Sequence, residues 1–175
     1  MSFIFPPVAS RLLPGVVASF FVISSALAHG DHTHGQGSAR VVVDGQTLTV
    51  SLDVPLESFL GFDYPPKGEA QAQTWQALKA RLAEPLRFVE PAAEGECTPA
   101  GATSKPDLRG DDPGGDVANL MYEVRFTCRK PEALKSVVFT AFRDHPGLKQ
   151  LRVQATNGTV RKSLTVRPRF PALIF

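Results

Sequence analysis

The chain has 175 residues, 43% of them apolar, with 19 Lys+Arg against 17 Asp+Glu and a formal net charge of +2. That is one domain's length with enough apolar residues for a core, which excludes wholesale disorder. The near-neutral balance excludes the basic stripe of a nucleic-acid binder, and two cysteines exclude a four-cysteine zinc ribbon.

Residues 1–28 hold a single charge, Arg11. An apolar run from Leu12 ends in Ala26-Leu27-Ala28, the small-x-small pattern at which a signal peptidase cuts. This predicts a secretory signal peptide, with the mature chain starting at His29. The run is short for a bilayer span, so no retained membrane span is expected.

Residues 29–38 are rich in Gly and His and lack apolar periodicity, which predicts a flexible arm. Residues 39–175 read as one domain. Strand character starts at Arg40, and Asp44-Gly45 signals a hairpin. Leu48, Val50, Leu52 and Val54 alternate with polar residues as in a half-buried strand that Pro55 ends. Gly68 to Ala83 reads as a helix with Trp75, Leu78 and Leu82 on one face. Leu86 to Val89, between prolines, reads as a strand. Residues 98–116 read as a variable loop by their Pro, Gly, Ser and Asp content. Leu120, Tyr122, Val124, Phe126 and Cys128 alternate in a second clear strand. A short strand from about Ser136 leads to a helical turn before His145, and Leu151 to Val166 folds back at Asn157-Gly158. The fold class expected is α+β: an antiparallel sheet built from hairpins, with one main helix packed on it.

Cys97 and Cys128 form an even pair in an exported chain, so a disulfide is expected. Loop-closure entropy sets its contribution at roughly 3.5–4 kcal/mol as an upper figure.

Three of the four histidines, His29, His32 and His34, fall within six residues, with Asp31 among them. Imidazoles and a carboxylate suit Zn²⁺, with copper or another divalent transition metal as alternatives. A free α-amine on His29 would favour copper. His145, before Pro146, reads as a surface histidine on a turn, and Asp116 as a solvated loop carboxylate; both rank behind the arm as ligands. No GxSxG, P-loop, HExxH or GxGxxG pattern occurs, and a mobile arm cannot hold a catalytic base, so no enzyme is expected. A structural or interaction module with incidental histidines is the reading without metal.

The order of the pieces adds a resemblance. His32-Thr-His-Gly35 follows the signal segment. Pro55-Leu-Glu-Ser-Phe-Leu-Gly-Phe-Asp63, Gly95-Glu-Cys97, Tyr122-Glu-Val-Arg-Phe-Thr-Cys128, Phe139-Thr-Ala-Phe142, Pro146-Gly-Leu148 and Leu151-Arg-Val-Gln154 come after it. This ordered set resembles the ZrgA-like family of periplasmic zinc-binding proteins, over about Gly30 to Val166. The resemblance implies a periplasmic accessory of zinc uptake or buffering, with His32 and His34 as ligands and an envelope transporter or receptor as partner. The chain departs from the family pattern by a loop without histidine, by Tyr64, and by Asp116 where histidines are common.

Overall fold

The computed structural model describes residues 34–62, 64–105 and 119–175, which belong to one unit, residues 32–175. The signal segment, His29, Asp31, His32 and Asp116 lie outside the described residues. In chain order the elements are β1 (Gln36–Asp44), β2 (Thr47–Pro55), α1 (Glu57–Leu60), α2 (Gly68–Leu82), β3 (Glu90–Pro91), β4 (Cys97–Lys105), β5 (Asn119–Cys128), β6 (Ser136–Val138), α3 (Ala141–Asp144), β7 (Gln150–Thr156), β8 (Arg161–Val166) and β9 (Ala172–Ile174). Strand outweighs helix, and among the described residues α2 alone exceeds four helical residues.

Six strands form one sheet in the order β4-β5-β2-β1-β7-β8, and β3-β6-β9 form a smaller one. The period-two patterns place their apolar residues on one face of the large sheet. Val41, Val50, Val124, Phe126, Leu151 and Val153 are fully buried there. Trp75, Leu78 and Leu82 of α2 join the same core, as their helical spacing predicts. Tyr122 donates its hydroxyl to the Leu82 carbonyl at 2.7 Å and ties the end of α2 to the sheet. Cys97 and Cys128 stand opposite each other on β4 and β5 and are joined by the expected disulfide.

Several expectations are corrected. The large sheet is not wholly antiparallel: β1 pairs parallel with β7, Gln36 opposite Gln150. The β1–β2 hairpin leaves one edge of β1 open, and the chain reaches that edge only after crossing over through β6 and α3. Residues 97–105 form a strand rather than a loop, pinned at one end by the disulfide. Its place at the sheet edge accommodates Pro99 and an irregularity between Pro99 and Gly101. Leu86 to Val89 is not a strand. Pro85 opens a 3₁₀ turn, Pro85–Arg87, and Phe88 and Val89 drop into the core from it. β1 begins at Gln36, ahead of Arg40, because the partner strand β7 extends the ladder into the Gly-rich segment. The predicted hairpin turn shifts by one residue, the loop being Gly45-Gln46 between the paired Asp44 and Thr47. The small sheet is centred on β6, the short strand expected from about Ser136, while its flanking strands β3 and β9 have no clear signal in the sequence.

Candidate metal-binding site

The hairpin decides what lies beside the arm. β1 enters the sheet where β2 leaves it, with Ser38 opposite Asp53. Continuing that register outward brings His34, just before β1, opposite Glu57, the first residue of α1. The two side chains meet there: His34 Nδ1 contacts Glu57 Oε1. The His34 side chain is 84% exposed and that of Glu57 only 21%. A recessed carboxylate therefore holds a protruding imidazole.

Backbone contacts fix both partners. The Gly35 carbonyl accepts hydrogen bonds from the N–H groups of Lys149, at 2.7 Å, and Gln150, at 3.1 Å. Gly35 has φ 73°, and a Cβ there would lie 2.7 Å from the Gly147 carbonyl oxygen. Both the conformation and the space call for glycine. A Cβ on Gly147 would in turn lie 2.5 Å from the Ser58 carbonyl oxygen. Gly147 is thus wedged between the His34 segment and α1. Within α1, the Phe59 and Leu60 N–H groups donate to the Leu56 carbonyl, and Gly61 closes the turn on Glu57.

His145 is not the surface histidine that its turn context suggested. It is 2% exposed, with its ring 4.7 Å from that of Phe59 and 5.7 Å from that of Phe88, centre to centre. It hydrogen-bonds to the backbone of Phe59, while Nδ1 has no partner among the described residues. Burial holds its pKa below the ordinary histidine value. The ring is a core component under α1, closed in by aromatic neighbours.

Of the ligand candidates in the arm, His34 alone is described; His29, Asp31 and His32 precede the described residues. Among the described residues no group of three or more His, Cys, Asp or Glu is assembled for a metal. The pair that is present has the right chemistry, an accessible imidazole and a carboxylate of the kind zinc accepts. A hollow of about 740 Å³ lies elsewhere, on the polar outer face of the large sheet. It is lined by Arg40, Asp53, Lys105, Glu123 and Arg152, among others, and by no histidine or cysteine among the described residues. Its two carboxylates among the described residues are already engaged, Asp53 by Asn119 at 2.7 Å and Glu123 by Ser51 at 3.3 Å.

Sequence reasoning missed Glu57. The available signal was the hairpin register, and the turn expected at Asp44-Gly45 sets a different one.

No curated protein matches the chain. The family model described as "ZrgA family zinc uptake protein" matches residues 31–175, from the arm through both sheets, and the chain belongs to that family.

Proposed function

We propose that this protein is a periplasmic zinc-binding accessory of metal uptake, which holds Zn²⁺ at its N-terminal segment and buffers it or passes it to an envelope transporter. The carrying observation is the exposed His34 imidazole, tethered to the folded domain in a member of a zinc uptake family. In this reading His32 and His34 are ligands, with His29 or Asp31 completing the set, and the ion is cargo rather than a catalyst. Cleavage after Ala28 would release this segment at the new N-terminus, and the disulfide fits an oxidising compartment. Imidazole and carboxylate donors are exchangeable, as delivery requires. Protons compete for the imidazoles, so the affinity falls in acid.

Calorimetric titration of the mature protein, residues 29–175, with Zn²⁺ tests the reading. One ion per chain is expected for the parent and none for the double variant His32→Ala, His34→Ala, with folding unchanged. A double variant that binds as tightly as the parent refutes this placement of the site, and a parent that binds no zinc refutes the metal reading.

A further inference from the structure

We propose that Glu57 is the positioning residue of the zinc-binding imidazole: it takes the Nδ1–H of His34 and so commits Nε2 to the ion. The proposal rests on the reading of His34 as a zinc ligand and adds which nitrogen binds and why.

A neutral imidazole has one N–H and one lone pair, and whatever holds the N–H decides which nitrogen remains free to ligate. His34 Nδ1 lies against the Glu57 carboxylate, which accepts a proton but cannot donate one when ionised. Nδ1 therefore carries the hydrogen, and the lone pair is on Nε2. The contrast in exposure sets the direction, with the carboxylate recessed and the ring standing out from the surface. An imidazole fixed by its inner nitrogen presents its outer one to an arriving ion. Metal-binding histidines commonly give their second N–H to a carboxylate, which orients the ring and raises the basicity of the ligating nitrogen.

The anchorage is on the domain, not on the arm. Glu57 starts α1 directly after β2, and Gly147 packs against the next residue, Ser58. The Gly35 carbonyl is held by the 149–150 backbone. One imidazole of a Gly-rich segment is thereby in place before the ion arrives. A ligand already held in place loses less conformational entropy when the ion binds.

The test uses the mature protein, Glu57→Ala and Glu57→Gln. Nitrogen-15 NMR of the metal-free proteins at mildly alkaline pH reads the His34 tautomer, and competition with a chromophoric chelator reads zinc affinity. The parent should show the Nδ1–H form, shifting to signals of the Nε2 atom when Zn²⁺ is added. Glu57→Ala should lose the Nδ1–H preference and bind zinc about 10–100-fold more weakly. Glu57→Gln, whose amide oxygen still accepts the N–H, should keep the tautomer and recover most of the affinity. Unfolding midpoints equal to the parent's show that each variant is folded, since Glu57 pairs only with His34 among the described side chains. Zinc on Nδ1 of His34, or an unaltered tautomer and affinity in Glu57→Ala, overturns the proposal. A Glu57→Gln variant that keeps the tautomer yet binds as weakly as Glu57→Ala also overturns it, because Glu57 would then be a ligand itself. A parent that binds no zinc refutes the metal reading and this proposal with it, whereas zinc binding unchanged in Glu57→Ala refutes this proposal alone.

Discussion

Gly147→Ala is a sharp probe of how the His34 segment is held. A Cβ at this position would sit 2.5 Å from the Ser58 carbonyl oxygen, 3.1 Å from its carbon and 3.2 Å from the Ser58 Cα. All three atoms are backbone, so no rotamer change relieves the contact. Restoring ordinary separation moves the 145–149 turn and α1 apart by about 0.9 Å, a displacement of the kind that costs about 1–3 kcal/mol when a packed interior is overfilled. For a chain of this size that corresponds to a fall in Tm of about 2–12 °C. The same shift separates Gly35, which leans on the Gly147 carbonyl, from α1, and so loosens the His34–Glu57 pair. Thermal unfolding followed by circular dichroism measures the first effect. Zinc titration at a temperature where both proteins are folded measures the second, expected as a weaker affinity at unchanged stoichiometry. An unchanged Tm would refute the packing argument, because the added methyl would then have found room that the backbone does not offer. A lower Tm with unchanged zinc affinity would show that the wedge supports the fold but not the site.

Two further outcomes follow from buried polar groups. Tyr122→Phe removes the donor to the Leu82 carbonyl at the end of α2 and should cost about 1–3 kcal/mol in denaturant unfolding; a loss below about 0.5 kcal/mol would mean that the carbonyl finds another partner. His145 is held below its ordinary pKa of 6.5 by burial, opposed by its hydrogen bond to the Phe59 backbone, lowered further by Arg81 and raised by Asp144. The unfolded chain therefore takes up this proton first as pH falls. The contribution to stability is complete above about pH 6.5 and declines below it. Comparing unfolding free energies at about pH 7.5 and 5.5, His145→Gln should lose less stability on acidification than the parent, and equal losses would refute the assignment.

Much of this architecture was legible in the sequence. Alternation at Leu48 to Val54 and at Leu120 to Cys128 named the buried face of the central strands, because period two admits only two faces and one is apolar. The spacing of Trp75, Leu78 and Leu82 named the buried stripe of α2. The cysteine pair and the resemblance over the arm and the later motifs named the disulfide and the family. What escaped was set by partners distant in the chain. The segment 97–105 has a loop's composition and becomes a strand because the edge of β5 is free and a disulfide holds it there. His145 has a turn's context and becomes a core residue because Phe59 and Phe88 close over it. The His34–Glu57 pair depended on hairpin register. A turn at Asp44-Gly45 and the observed loop at Gly45-Gln46 differ by a two-residue slip in pairing. Such a slip leaves every apolar residue on its face; only an odd slip exchanges the faces. Hydrophobic patterning therefore could not choose between them. The choice was made by the whole sheet, with β2 aligned on β5 and β1 on β7, and it is that choice which puts a carboxylate under the imidazole.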